Sequence, residues 1–151
     1  MCIRDRLSIG LHNKGYDVTI ITFQNIVEYE YKGALISLGF DFTGRNIFRR
    51  ILAFIRRIDK IKRIKREHNF GASISLMENA NFVNILSKQK EKVIISTRND
   101  IEGMLKSLPL YKKFLMKTLY KKASAYVLIS RKMREEASTL LKIPPDKTAL
   151  L

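Results

Sequence analysis

Three short polar clusters each follow a run of branched apolar residues. Glu78-Asn79 follows residues 72–77, Arg98-Asn99-Asp100 follows 93–97, and Ser130-Arg131-Lys132 follows 125–129. If the apolar runs are neighbouring parallel strands, their carboxyl ends form one rim, where helix N-termini turn unpaired N–H groups outward and ligands gather. Arg98 at such a strand end can make two parallel charge-assisted bonds to a phosphate; the other possibility is a surface pair with Asp100 or Glu102. Glu78 either accepts hydrogen bonds from a ligand hydroxyl or favours the positive end of a helix beginning near Asn79. Asn79 or Asn81 would serve as that helix's N-cap, and Ser130 as the N-cap of the helix after it. Arg131 and Lys132 stand in a first helical turn, where cations oppose the dipole, so they point to a nearby anion unless they are merely exposed.

The elements that must hold these residues alternate along the chain. A helix ending at Lys14-Gly15 leads into a strand over 17–23, and an apolar stretch over 29–38 is interrupted at Gly33. Gly39 and Gly44 bracket a turn. A long helix spans residues 45–68. The runs 72–77, 93–97 and 125–129 read as buried strands, with helices over 79–88, 108–123 and 131–142 between and after them. Pro144-Pro145 stops the last helix, and a strand begins at 148. Branched strands alternating with helical periods predict an α/β fold: a Rossmann-like, doubly wound, mostly parallel sheet with helices on both faces. Residues 1–6 fit no element and are read as unplaced. Residues 7–151 read as one domain cut at both ends, its first strand and any glycine-rich loop missing.

Composition narrows the partners. The 151 residues carry 29 Lys plus Arg against 14 Asp plus Glu, a net charge of +15. That balance calls for a polyanion or reflects a solvated basic surface. A chain this long buries roughly two-thirds of its unfolded surface, so it needs no metal or disulfide to hold a core. The single cysteine, Cys2, excludes a disulfide framework and fits a reducing compartment. His12 and His68 are too few and too far apart for a metal site. No run approaches the roughly 20 apolar residues of a membrane span.

In the 45–68 helix, Ile47, Ile51, Phe54, Ile55, Ile58 and Ile61 fall on one face at about 100° per residue. Arg49, Arg50, Arg56, Arg57, Lys60 and Arg63 occupy the rest. The combination expected is an apolar face docked on the sheet with the cations turned to an anionic bilayer surface. Lys112, Lys113, Lys117, Lys121 and Lys122, around Tyr111, Phe114 and Tyr120, would enlarge the patch.

Three passages carry a family resemblance. Residues 15–23 (GYDVTIITF) resemble the second strand of family-4 glycosyltransferases, the retaining class of GT-B architecture. Residues 75–81 (SLMENAN) and 93–99 (VIISTRN) are similar to two successive strand ends in members that build bacterial surface glycans on a lipid carrier. Residues 123–130 (ASAYVLIS) with 143–147 (IPPDK) are similar to the passage before the interdomain linker. The resemblance implies the amino-terminal, acceptor-side half of a two-domain enzyme. Its nucleotide-sugar half, with the carboxylates of the E-x7-E motif, would lie outside this chain, so no catalytic residue is assigned and the chain alone is expected to be inactive. It also implies a UDP- or GDP-sugar donor, a glycan or lipid-linked acceptor, no essential metal or cofactor, and a peripheral position on the inner face of the bacterial cytoplasmic membrane. Arg98 matches a basic or imidazole position near the sugar and phosphates.

Two other functions compete. A basic nucleic-acid-binding α/β module would track phosphates with the long helix, but the chain has no stacking signature, zinc-finger pattern or helix-turn-helix pair. A dinucleotide oxidoreductase would need a G-x-G-x-x-G loop, which is not present.

Overall fold

The computed structural model describes residues 3–23, 30–39 and 47–151. The expected turn at Gly44, Tyr29 and the start of the long helix fall outside them, and of the 29–38 stretch only Ala34–Ser37 is strand. The chain divides into two compact units, Met1–Arg57 and Ile58–Leu151.

In the first unit, α1 (Ile3–Asn13) runs back through four of the residues that fit no element in the sequence. It ends as lysine followed by glycine predicts: Gly15 takes φ +83°, and the Tyr16 N–H returns to the Leu11 carbonyl at 3.1 Å. Two parallel strands follow, β1 (Thr19–Thr22) and β2 (Ala34–Ser37), in register from Thr19 opposite Ala34 to Thr22 opposite Ser37. Gly33, at φ +107°, is required between them. A Cβ there would lie 2.2 Å from the Val18 carbonyl oxygen, the atom that accepts the Ala34 N–H.

The long helix, α2 (Ile47–His68), spans the boundary between the units. Its orientation departs from the sequence pattern. Ile51 and Ile55 are 53% and 54% exposed beside Phe48 and Leu52, whereas Arg57, Ile61, Ile64 and Lys65 are buried. Within the second unit the helix turns Ile61, Ile64 and Lys65 inward, where Lys65 finds a buried carboxylate; within the first, Arg57 is buried and lies 5.5 Å above the Phe23 ring. Arg57 drops out of the cationic surface set. Arg49, Arg50, Arg56, Lys60 and Arg63 remain exposed.

The second unit holds a four-stranded parallel sheet of order β3 (Ala72–Ser75), β4 (Lys92–Ser96), β5 (Ala125–Leu128), β6 (Thr148–Leu150). Every strand pair described is parallel, and helices make the crossovers of the four-stranded sheet, so the α/β, Rossmann-like class expected from the sequence is the one observed. These helices are α3 (Glu78–Leu86), α4 (Ile101–Ser107), α5 (Leu110–Leu119) and α6 (Arg131–Leu140). The helix expected over 108–123 starts only after Pro109, as α5, and ends in a 3-10 turn at Tyr120–Lys122, whereas α4 has no counterpart in the sequence pattern.

Register explains the core. Ser75, Ile95, Tyr126 and Thr148 lie in one row across the sheet and are all buried, as are Val93 and Leu128 on the same face. Helix α3 packs on β3 and β4, and α6 on β5 and β6. Met116, Leu119, Tyr120, Ala137 and Leu141 close the layer from the helical side. Full burial of each large apolar side chain contributes about 1.5–3 kcal/mol. The alternate row is less covered, and Ile74 is 41% exposed.

Candidate functional site

Because β3, β4 and β5 are adjacent and parallel, the residues that leave their carboxyl ends share one rim. Glu78 opens α3, Arg98 and Asn99 precede α4, and Ser130 precedes α6. The three clusters singled out in the sequence are therefore brought to the same end of the second unit.

Hydrogen bonding divides them into two groups. In the first, every polar group is engaged in holding the helices. Asp100 caps α4, its Oδ2 accepting the Gly103 N–H at 2.7 Å. Lys132 Nζ donates to Asp100 Oδ1 at 3.2 Å and lies 3.4 Å from Glu136 Oε1. The other oxygen of Glu136, which is buried, accepts the Ile101 N–H at 3.1 Å and the Glu102 N–H at 3.4 Å. Glu136 on α6 thereby caps the start of α4. Ser130 caps α6, accepting the Met133 N–H at 3.2 Å. The Gly103 N–H and the Lys132 ammonium hold the Asp100 carboxyl below its usual range, and Asp100 in turn raises Lys132. Lys132 and Ser130 thus have structural partners, and the anion suggested by Lys132 in a first helical turn is supplied by the protein itself.

The second group is unengaged. Among the described residues, the side chains of Arg98, Asn99, Asn79, Arg131 and Glu78 make no hydrogen bond or ion pair; all are exposed except the half-buried Glu78. Arg98 does not pair with Asp100, which is occupied by Lys132, nor with Glu102, which holds Lys106 at 2.7 Å. Asn79 is not an N-cap: the capping position is Met77, which offers no side-chain acceptor. The first N–H groups of α3 are correspondingly uncapped by any side chain, beside Glu78 at its first position.

The chain matches no family model and no curated protein.

Asn81 takes a role that the sequence assigned to capping. It is fully buried, and its Nδ2 donates to the Ser96 carbonyl at 3.0 Å and the Tyr120 hydroxyl at 3.2 Å. Tyr120 is therefore a core residue and not part of any surface patch; its ring meets that of Tyr126 edge-on at 5.5 Å. Burial pushes the Tyr120 hydroxyl up to about 12 and raises that of Tyr126 further. Both phenols stay protonated at physiological pH, so they act as neutral supports beneath the rim. A tyrosine at the end of a basic helix and another inside a strand carry no sequence signal for this pairing; only the register reveals it.

Among the described residues, no cluster of His, Cys, Asp and Glu could hold a metal ion. No described helix is long and apolar enough to cross a membrane. His12 lies in the last turn of α1, and His68 in the last turn of α2, stacked on Phe70 at 5.3 Å.

Proposed function

We propose that this chain is the acceptor-side part of a retaining glycosyltransferase. In this role it helps transfer a sugar from a UDP- or GDP-sugar to a lipid-linked or surface-glycan acceptor at the cytoplasmic face of a membrane. The observation that carries the reading is the pair of unpaired guanidiniums, Arg98 and Arg131, on a rim that also offers Glu78, Asn79 and Asn99. Guanidiniums suit the diphosphate of a carrier lipid, while the carboxylate and amides suit sugar hydroxyls. The donor is held mainly by a further domain, and the rim contributes orientation and charge. The exposed apolar row of α2, flanked by Arg49 and Arg56, supports a peripheral position on an anionic bilayer better than it supports nucleic-acid tracking, which has no use for exposed isoleucines.

The test is a calorimetric titration of the chain with a short polyprenyl diphosphate, with inorganic pyrophosphate and UDP as comparison probes. The polyprenyl diphosphate should bind saturably, and Arg98→Ala should weaken it about tenfold or more, as loss of a charge-assisted contact does. Equal affinity in Arg98→Ala refutes the role of the rim. Tight binding of duplex DNA that persists at about 200 mM salt favours the nucleic-acid module instead.

A further inference from the structure

The helical side of the second unit carries a feature that the rim does not use. Helix α5 turns Leu110, Tyr111 and Phe114 outward at 82%, 60% and 68% exposure, while Met116 and Leu119 on its other side are buried. Leu110, Phe114 and Lys117 follow one another along a single outward row at intervals of four and three residues. Beside this row an open groove of about 320 Å³ runs between α4, α5 and α6. Leu105 and Leu140 line it together with Lys106, Lys113, Lys117 and Glu102.

The charge around the groove has one sign. No acidic residue stands between Glu102 and Glu135 in the sequence, a span that includes all of α5. Glu102 is neutralised by Lys106 at 2.7 Å, and that pair leaves Lys113 and Lys117 without an ion pair among the described residues. Exposed phenylalanine and leucine next to unpaired lysines do not suit an aqueous surface. They suit a boundary at which apolar and anionic layers meet within a few ångströms.

We infer that α5 is a second membrane-docking element, and that the α4–α5–α6 groove seats the phosphate headgroup of an anionic phospholipid. Leu110 and Phe114 enter the acyl boundary. Lys113 and Lys117 hold the phosphate at the mouth of the groove, and Leu105 and Leu140 receive the apolar part of the headgroup region. A nucleic acid would match the lysines but not Leu110 and Phe114, which α5 turns into solvent. The inference rests on the peripheral part of the proposed function and not on the chemistry of the rim, since Arg98 and Glu78 take no part in it.

The chain contains no tryptophan, so a single introduced one reports its own surroundings. The Phe114→Trp variant is mixed with vesicles of phosphatidylglycerol and phosphatidylcholine, some carrying acyl-chain-brominated lipid, and with pure phosphatidylcholine vesicles as the comparison. Binding to the anionic vesicles, with a blue-shifted emission quenched by the brominated chains, is the expected result. Lys113→Gln/Lys117→Gln should lower vesicle partitioning about 25-fold, roughly fivefold for each lysine near an anionic surface. Leu110→Ser/Phe114→Ser should lower it at least tenfold. Circular dichroism of each variant establishes that the fold is retained; Leu110, Phe114 and Lys117 are exposed and Lys113 half-buried, so none is a core side chain.

Partitioning unchanged in both α5 variants, or Phe114→Trp emission indifferent to brominated lipid while the protein is bound, overturns the inference. If those results accompany a loss of binding in Phe48→Ser/Ile51→Ser, the α2 reading stands and only the α5 site falls. The converse, binding lost through α5 and retained through α2, supports the inference and removes α2 from the membrane surface. Arg98→Ala should bind vesicles as the parent chain does, which separates this result from any failure at the rim.

Discussion

Substituting the buried ion pair of the second unit should reveal strong coupling between helix α2 and the loop before β4. Lys65 and Glu91 have side chains only 3% and 2% exposed, with Nζ 2.7 Å from Glu91 Oε1. The remaining donors of Lys65 reach Asn84 Oδ1 at 2.6 Å and the Asn84 carbonyl at 3.0 Å. The second oxygen of Glu91 accepts the Gln89 N–H at 2.9 Å. Burial lowers the Lys65 ammonium below its ordinary 10.5 even with the carboxylate present, so desolvation outweighs the attraction. Removing one partner leaves the other charge buried. Glu91→Gln and Lys65→Met should therefore each cost about 3–5 kcal/mol. The double variant Lys65→Met/Glu91→Leu removes both charges and should cost far less than the sum, giving a coupling of about 3 kcal/mol or more. Urea unfolding followed by circular dichroism measures all three, and because domains hold only about 5–15 kcal/mol, either single variant should shift the midpoint visibly. Single costs below about 1 kcal/mol that simply add would show that the pair is solvated and the reasoning wrong.

Four further outcomes follow from the geometry. Acid should destabilise the chain through Glu91 and Asp100. Both carboxyls titrate below their ordinary 4.5 and 3.8, so the folded state binds fewer protons there and stability declines as pH falls below about 4.5; Glu91→Gln should flatten that decline in thermal melts. Glu136→Ala leaves the Ile101 and Glu102 N–H groups without their acceptor, while Lys132 and Gly103 keep Asp100, and should cost about 1–3 kcal/mol in urea unfolding. Ser130→Ala should cost about 1 kcal/mol as a lost N-cap and leave polyprenyl diphosphate affinity unchanged, the reverse of Arg98→Ala. Gly33→Ala forces a Cβ onto the Val18 carbonyl at a positive φ and should destabilise the first unit by more than about 1 kcal/mol, read as loss of amide-exchange protection in β1 and β2.

The strands were legible because a parallel strand buried on its helical face needs near-continuous branched residues, and VIIS and AYVL stand out against the lysine-rich helices around them. The rim followed directly: once three strands are parallel and adjacent, their carboxyl ends converge whatever the loops do. Helix α4 was not legible, since its seven residues contain Gly103 and too few turns to show a period. The facing of α2 was misread for a different reason. Periodicity weighs each isoleucine equally, whereas the inward face was decided by one long-range contact, Lys65 with Glu91, whose partner lies in a loop with no pattern of its own. Asn81 was misassigned similarly: an asparagine at the head of a helix looks like a cap, and only the position of Tyr120 in space gives it a buried acceptor.

That same contrast separates the rim residues that hold the fold from those free to hold a ligand. Asp100, Ser130, Lys132 and Glu136 form a closed set in which each charge or hydroxyl answers a helix end or a neighbour, so a ligand anion arriving there would have to displace Asp100 from Lys132. Arg98 and Arg131 answer to nothing in the described structure, and no internal bond would be broken when a phosphate binds them. Both are exposed and leave the carboxyl ends of adjacent strands, so each keeps its donors open to a ligand at the same rim. A bound phosphate would give these guanidiniums the charge-assisted partner that the protein itself withholds. Weak binding of polyprenyl diphosphate to the parent chain, left unchanged in Arg98→Ala and Arg131→Ala, would show the opposite: two cations tolerated by the surface and used by nothing.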